Sequence, residues 1–207
     1  MIRDTDISEV FSWLKKRLAE KAGPMLITLD GPCASGKTTL AGELAAAFGA
    51  AVIHTDDFVI PHAQKNRERL AVPGGNCDVE RLVKEVVAPF KAGDPVRYRR
   101  YDCMADCLQP EEELPFAPCL ILEGCYCNLP AIRTYADARL FLDAPWEIRE
   151  RRLLERESAA SMQRFLDRWI PLENAYFEAY HLPDAQCRVI QLKPESLSGR
   201  DCDKGAV

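Results

Sequence analysis

The sequence predicts an α/β fold, a parallel sheet of about five strands with helices on both faces. Short, nearly all-apolar runs alternate along the chain with segments of helical periodicity. Apolar strands separated by helices indicate a parallel sheet that is covered on both sides. The 207 residues are 47% hydrophobic and 29% charged, a composition typical of a globular protein. We therefore expect residues 1–207 to form a single domain.

The first half of the chain begins with an amphipathic pattern. Over residues 6–20 the apolar side chains recur at helical spacing behind Asp6, which is placed to cap a helix. The run at 25–29 has the length and composition of a buried strand, and residues 38–48 form a helix rich in Ala and Leu. A second strand is expected at 50–58, where it runs into acidic residues.

The second half repeats the alternation of strands and helices. The apolar runs that predict strands are 118–126, 138–144 and 187–192. The periodic segments that predict helices are 78–90, 145–157 and 161–180. Because proline interrupts a helix, Pro89 is expected to stop the first of these helices and Pro171 to kink or restart the last.

Charge and hydropathy limit the classes of protein. The net charge is −5, whereas general nucleic-acid binders carry a basic excess. The opening MIRDTDISEV is charged and lacks the apolar core of a signal peptide. No apolar stretch approaches the about 18 residues that a membrane span requires. We expect a cytoplasmic protein that binds neither nucleic acid nor membrane.

The sequence contains nine cysteines, an odd number that fits free thiols better than a disulfide framework. They are Cys33, Cys77, Cys103, Cys107, Cys119, Cys125, Cys127, Cys187 and Cys202. Zinc would require paired cysteines or nearby histidines, and the spacings Cys103-x3-Cys107 and Cys125-x-Cys127 do not supply them. Buried or incidental thiols are the preferred interpretation.

The segment GPCASGKTT, residues 31–39, lies between a predicted strand and a predicted helix. Gly31, Gly36, Lys37 and Thr38 satisfy the P-loop spacing. In such a loop the backbone amides and the helix N-terminus bind phosphate oxygens. The lysine reaches the β- and γ-phosphates, and the hydroxyl after it ligates Mg²⁺. The alternative, an ordinary glycine-rich turn, does not explain this position between strand and helix.

The motif predicts a three-layer sandwich of the P-loop NTPase type that binds a nucleoside triphosphate. The expected nucleotide-binding residues of the loop are Gly31, Ala34, Ser35, Gly36, Lys37, Thr38 and Thr39. The motif leaves the phosphoryl acceptor open, since water, a protein or a small alcohol can all receive the group.

Two acidic clusters follow predicted strands. In HTDDF, Asp56 and Asp57 come just after a strand, and one of them is a natural base for an alcohol acceptor. A helix cap or a turn residue is the alternative. Glu123 closes the apolar strand CLILEG, where a carboxylate organises Mg²⁺ together with Thr38. A solvated carboxylate at a strand end is its alternative.

Arginine recurs on the helix after the fourth predicted strand. Arg149, Arg152 and Arg156 are spaced i, i+3, i+7, within about 60° of each other around a helix. Such a stripe is either a solvated face or a set of arginines that bind phosphate in forked geometry near a nucleotide.

The segment RYRRYD, residues 97–102, mixes basic and aromatic residues. An edge strand or a small-ligand contact explains this pattern equally well.

Together these clusters resemble the uridine kinase branch of P-loop kinases, which also includes nicotinamide riboside kinase, pantothenate kinase and phosphoribulokinase. The resemblance extends over about residues 25–192. It is carried by GPCASGKTT, TDDF, YDC, LEG and LDAPWEIRERR, in that order. It implies a five-stranded parallel sheet flanked by helices, with ATP and Mg²⁺ as cofactors.

The resemblance also implies roles for particular residues. Asp56 matches the catalytic base of the family, and Glu123 matches its magnesium-organising acid. Asp78 resembles the aspartate that binds sugar hydroxyls, and Tyr101 falls near a base-contacting tyrosine. The three arginines match those of a lid, here a short one near 149–161. Of these, Arg152 is expected to act in catalysis with Lys37, while Arg149 and Arg156 bind the nucleotide.

These observations predict an ATP- and Mg²⁺-dependent kinase that phosphorylates a small alcohol, first of all the 5′-hydroxyl of uridine or cytidine. Pantothenate or nicotinamide riboside as acceptor is the nearest alternative. A P-loop ATPase with a regulatory role and a binding protein without catalysis are further alternatives. The sequence leaves the oligomeric state open, and a homo-oligomer is compatible with it.

Overall fold

The structure is a computed structural model that describes residues 6–192. Residues 1–5 and 193–207, with Cys202 and both ends of the expected domain, lie outside the described residues.

In chain order the strands are β1 (Met25–Asp30), β2 (Ala51–His54), β3 (Arg97–Tyr98), β4 (Tyr101–Asp102), β5 (Cys107–Leu108), β6 (Glu112–Glu113), β7 (Cys119–Glu123), β8 (Ala138–Asp143) and β9 (Arg188–Gln191). The helices are α1 (Ile7–Glu20), α2 (Lys37–Phe48), α3 (Arg67–Ala71), α4 (Val79–Leu82), α5 (Ala88–Ala92), α6 (Pro130–Arg133), α7 (Trp146–Arg156), α8 (Ala159–Arg164) and α9 (Ile170–Ala179). Short 3₁₀ helices lie at Thr55–Phe58 and His62–Gln64, and π-helical turns lie at Val83–Val87 and Phe165–Trp169. Within residues 6–192, no helix is both long enough and apolar enough to cross a membrane.

The central sheet is parallel and has the strand order β2-β7-β1-β8-β9. Ile27 on β1 lies opposite Ile121 on β7 and Ala138 on β8. Every residue of β1 is buried, as expected for a strand with neighbours on both edges and helices on both faces. The predicted five-stranded parallel sheet is confirmed.

Side chains of β1 alternate between two apolar clusters on opposite faces of the sheet. Leu26 belongs to the cluster that contains Phe58 and Phe90. Met25 and Ile27 belong to the second cluster, which α1 and α2 complete. Because successive side chains of a strand point to opposite faces, this partition shows a sheet between two layers of helices. The three-layer prediction is confirmed.

Two prolines sit inside longer helical segments than the sequence indicated. The helix predicted to stop near Pro89 continues through α5 to Ala92, so that boundary was wrong. In both segments a π-helical turn precedes the proline, and Pro89 and Pro171 lie in the first turn of α5 and α9. A proline cannot donate to the i→i−4 ladder of a helix, and the π-helical turn before each proline interrupts that ladder at the same point. The expected restart near Pro171 is found at Ile170.

The strand predicted over 50–58 ends at His54, and Thr55–Phe58 is a 3₁₀ helix instead. Thr55 turns inward and donates its hydroxyl hydrogen to the backbone oxygen of Cys125 at 2.8 Å. Gly124 permits this approach, because a Cβ there would lie 2.1 Å from the Thr55 hydroxyl oxygen. The turn carries Asp56 and Asp57 past the end of the sheet.

The segment RYRRYD lies on a small excursion from the main fold. Strand β3 pairs with β6 and β4 pairs with β5, each as a two-stranded antiparallel ribbon. Arg97 and Arg100 on this excursion form ion pairs with Glu113 and Glu112. These contacts favour the edge-strand interpretation of the basic and aromatic pattern.

Candidate active site

The phosphate loop connects β1 to α2 at the carboxyl end of the sheet. Gly31 has a φ of +141°, and a Cβ there would lie 2.2 Å from the backbone oxygen of Leu142. Only glycine fits where the loop leaves the sheet. Lys37 begins α2, is 9% exposed, and donates from Nζ to the backbone oxygen of Pro32 at 2.9 Å. The lysine is therefore folded back over the loop that precedes it.

The rest of the loop has the features of a phosphate cradle. Ala34 and Gly36 have positive φ angles of 58° and 103°. The Ser35 hydroxyl is buried without a hydrogen-bond partner in the described part of the chain. Thr38 and Thr39 are exposed in the first turn of α2. An orphaned buried hydroxyl at a helix N-terminus fits a ligand with phosphate oxygens.

Cations hold the carbonyl oxygens of the loop. Arg149 Nε donates to the Cys33 oxygen at 2.8 Å. Arg152 Nη1 donates to the oxygens of Ala34 and Ser35 at 3.0 and 2.7 Å. Because these carbonyl oxygens accept hydrogen bonds from the arginines, their negative charge is offset and repels the oxygens of a bound phosphate less. Helix α7, which carries both arginines, is thereby joined to the loop.

The third arginine of the predicted stripe has different surroundings. Arg156 is exposed, forms an ion pair with Glu157 at 2.9 Å, and lies 5.8 Å from the centroid of Phe165. Its positive charge is one of those that lower the pKa of Asp56. The structure thus brings Arg149 and Arg152 to the loop, whereas Arg156 lies on the side of the acidic turn.

Glu123 ends β7 beside the phosphate loop and is 5% exposed. Its Oε1 accepts the hydroxyl of Thr38 at 3.1 Å and lies 2.5 Å from His54 Nδ1. The hydrogen bond with Glu123 raises the pKa of His54, against the effect of burial. A carboxylate and a hydroxyl on adjacent elements fit Mg²⁺, which takes few protein ligands and completes its shell with phosphates and water.

Asp56 and Asp57 occupy the turn after β2, which neighbours β7. Asp56 is open to solvent, yet the protein around it raises its pKa by desolvation, and Lys37 is the strongest charge opposing this rise. Desolvation also raises the pKa of Asp57, where His54 and Arg100 are the opposing charges. Asp56 is therefore the member of the pair on which the charge of Lys37 acts more strongly.

The two residues expected to contact the acceptor are engaged within the protein. Asp78 caps α4 and accepts from the backbone nitrogen and Nε of Arg81, both at 3.2 Å. Its own nitrogen donates to the Phe58 oxygen at 2.6 Å, which joins it to the acidic turn. Tyr101 is 5% exposed, and its hydroxyl donates to Asp106. A contact of Tyr101 with a base therefore requires the ribbon of β4 and β5 to move.

Sequence reasoning missed two residues at the site. Glu173 on α9 accepts the backbone N–H of Cys33 at 2.9 Å. A pattern in the sequence could have indicated Glu173: it lies three positions before Tyr176, and residues at that spacing share one face of a helix. The structure buries both side chains, so Glu173 is an acid on a buried helix face. His54 directly precedes the acidic turn, and without metal-ligand spacing it received no role.

Comparisons with known proteins agree with this geometry. No family model matches the chain. A cytidylate kinase from Methanocella arvoryzae is 30% identical over 156 residues, 75% of this chain and 70% of that protein. The structure of a possible uridine kinase from Bacillus stearothermophilus has a TM-score of 0.67 at 22% identity and covers 90% of this chain and 100% of its own. A candidate fructose transport system kinase from Silicibacter sp. TM1040 has a TM-score of 0.68 at 24% identity, with 91% and 100% covered.

The two structures share the fold of this chain, and at such identities the likeness is one of fold alone. The cytidylate kinase is similar in sequence over more than two thirds of its length. The phosphate loop, the strand-end acid and the five-stranded sheet are those of a phosphotransferase with a nucleotide-binding P-loop. The chain belongs to the P-loop kinases, and its fold is that of the possible uridine kinase.

Proposed function

We propose that the protein transfers the γ-phosphoryl group of ATP to a hydroxyl of a small alcohol, first of all the 5′-hydroxyl of a nucleoside such as uridine or cytidine. One observation carries the proposal. The carboxylate of Asp56 is solvent-accessible, and the strongest charge acting on it is that of Lys37 in the phosphate loop. A solvent-accessible carboxylate under the influence of the loop lysine suits an acceptor hydroxyl.

The transfer step follows from these positions. The oxygen of the acceptor hydroxyl forms a bond to the γ-phosphorus, the bond from that phosphorus to the bridging oxygen breaks, and ADP leaves. The hydroxyl proton passes to Asp56. Lys37, Arg152 and Arg156 offset the charge of the transferring group. Thr38 and Glu123 would hold Mg²⁺, which would supply further charge neutralisation.

Two arginines of the segment that follows the acidic turn, Arg69 and Arg100, are already paired, which favours a neutral acceptor over a nucleoside monophosphate, the acceptor that the name of the cytidylate kinase relative suggests. A monophosphate acceptor requires arginines free to grip its phosphate. Here Arg69 binds both carboxylate oxygens of Glu80, at 2.8 and 2.7 Å. Arg100 binds Glu112 at 2.5 Å. Guanidinium groups committed to carboxylates in this way leave little charge for an acceptor phosphate.

A second acceptor class, a small polyol without a base, is supported by the covered aromatic rings. Phe58 is fully buried, with the Arg81 guanidinium 4.3 Å from its centroid. Tyr98 lies against the same ring at 6.1 Å. Rings that pack against the protein in this manner offer no open face for stacking on a nucleobase.

An acceptor panel tests the proposal. ADP formation is measured with ATP and Mg²⁺ alone and with uridine, cytidine, CMP, pantothenate, nicotinamide riboside or fructose. We expect ADP only with an alcohol, and a phosphorylated alcohol as second product. Preference for CMP would overturn the alcohol assignment, and acceptor-independent ADP would indicate an ATPase. The Lys37→Met variant controls for contaminating kinases, because it should abolish every signal.

A further inference from the structure

Two buried charged side chains from different helices meet at Cys33 in the phosphate loop. Glu173 comes from α9 and Arg149 from α7, and they are 7% and 9% exposed. The carboxylate accepts the Cys33 N–H at 2.9 Å. The guanidinium donates to the Cys33 oxygen at 2.8 Å and lies 3.3 Å from its sulfur. Both backbone polar groups of Cys33 are thus held by side chains remote in sequence.

The two side chains also contact each other. Arg149 Nη2 lies 3.9 Å from Glu173 Oε2, the oxygen that accepts the Cys33 N–H. Trp146 flanks the guanidinium, 5.4 Å from ring centroid to its central carbon. Burial raises the pKa of Glu173, and the Cys33 N–H, Lys37 and Arg149 each oppose that rise. All the charged partners of the carboxylate therefore favour its ionised form.

We propose that Glu173 and Arg149 form a clasp that holds the phosphate loop in its phosphate-binding conformation, so that both are positioning residues for nucleotide binding. Arg149 then acts on the loop rather than on phosphate, which differs from the role that its place in the arginine stripe predicts. The proposal rests on the proposed function only in taking the loop as a nucleotide site.

The conformation of the loop explains why a clasp is needed. Ala34, the next residue, has a φ of 58°. A left-handed conformation is unfavourable for a residue with a side chain, so neighbouring contacts must hold it. Arg152 holds the carbonyl oxygens of Ala34 and Ser35 on the far side. The Cys33 contacts fix the near side of the same turn.

The first experiment needs no nucleotide. Hydrogen–deuterium exchange of the peptide covering residues 31–37 is compared between wild type, Glu173→Ala and Glu173→Gln. Glu178→Ala, an exposed acid on the same helix, is the matched control. We expect exchange in this peptide to accelerate at least about tenfold in Glu173→Ala, as it does when a protecting contact is lost. Glu173→Gln keeps a carbonyl oxygen for the Cys33 N–H and should stay within about threefold of wild type.

The second experiment measures ADP and ATP affinity by calorimetry without acceptor, well below the melting temperature of each variant. Glu173→Ala should weaken binding at least about tenfold, because a buried charged hydrogen bond is lost, while Glu173→Gln recovers most of it. Glu178→Ala should bind as wild type does. In steady-state assays the KM for ATP should rise in Glu173→Ala while the KM for the acceptor stays unchanged.

A double-mutant cycle separates the clasp from direct phosphate binding by Arg149. If the clasp is correct, Arg149→Met weakens ADP binding in wild type but adds little in the Glu173→Ala background. Additive losses would show that Arg149 binds phosphate independently and would overturn the proposal. So would wild-type exchange in Glu173→Ala, or a Glu173→Gln variant as impaired as Glu173→Ala. A wild-type protein without nucleotide affinity would refute the proposed function, and the exchange data would still decide on the clasp.

Discussion

Replacement of Asp56 by asparagine should separate phosphoryl transfer from nucleotide binding. The change keeps the shape of the side chain and removes its capacity to take a proton. A positioned base contributes about 10²–10⁴ in rate, which corresponds to roughly 2.7–5.4 kcal/mol of barrier. Because desolvation raises the pKa of Asp56 and Lys37 is the strongest charge opposing that rise, its carboxylate is suited to accept a proton, and we expect a loss within that range.

The same charges predict the effect on binding. Glu123 raises the pKa of Asp56 by repulsion, so removing the charge of Asp56 relieves a repulsion at the magnesium-organising acid. Nucleotide affinity should therefore stay unchanged or increase slightly in the Asp56→Asn variant. Measurements of kcat in a coupled ADP assay and of ATP affinity by calorimetry test both halves of the prediction.

Asp57 supplies the matched control on the same turn. Its opposing charges are His54 and Arg100, so Asp57→Asn should lose less than about tenfold in kcat, below the range for a positioned base. A kcat for Asp56→Asn within threefold of wild type would refute the assignment of the base. A larger loss in Asp57→Asn than in Asp56→Asn would transfer the role to the neighbouring carboxylate.

Three further outcomes follow from the structure. Gly124→Ala places a Cβ 2.1 Å from the Thr55 hydroxyl oxygen at a φ of +126°. It should cost about 1–3 kcal/mol in calorimetric melting and lower kcat because the acidic turn moves, and wild-type values for both would contradict the packing argument. The rate should fall as pH falls through the pKa of Asp56, whose base form is the active one, with a midpoint above the ordinary value of about 4 because that pKa is raised. A kcat that stays level down to pH 4 would contradict this. Burial disfavours the charged form of Asp137, but hydrogen bonds led by that from Lys91 outweigh this effect and lower its pKa. Asp137→Asn should therefore cost about 1–3 kcal/mol at pH 7, and in denaturant titrations the difference from wild type should vanish as pH falls through the lowered pKa.

Local patterns in the sequence were sufficient to predict the fold and the position of the phosphate loop between β1 and α2. The spacing from Gly31 to Thr38 encodes its own geometry, because glycine backbone freedom and the start of a helix are properties of adjacent residues. The apolar runs predicted all five strands of the central sheet. Their parallel order places the strand ends together, so Asp56 and Glu123 could be expected on one edge before any contact was known.

Helical periodicity placed Arg149, Arg152 and Arg156 on one side of a helix, but it carries no information on what packs against that side. The structure buries Arg149, engages Arg152 with the loop and leaves Arg156 exposed. The excursion that carries Tyr101 likewise buries the ring that the resemblance assigned to a base contact.

The sequence alone determined the loop proposed to bind phosphate, since that information lies within a few consecutive residues. Only the tertiary structure decided what supports the site. Glu173 reaches Cys33 across 140 positions of the chain, and His54 meets Glu123 because β2 and β7 are paired in register. Contacts of this kind depend on how whole elements pack, and a side chain that makes one looks in sequence like any other acid or histidine.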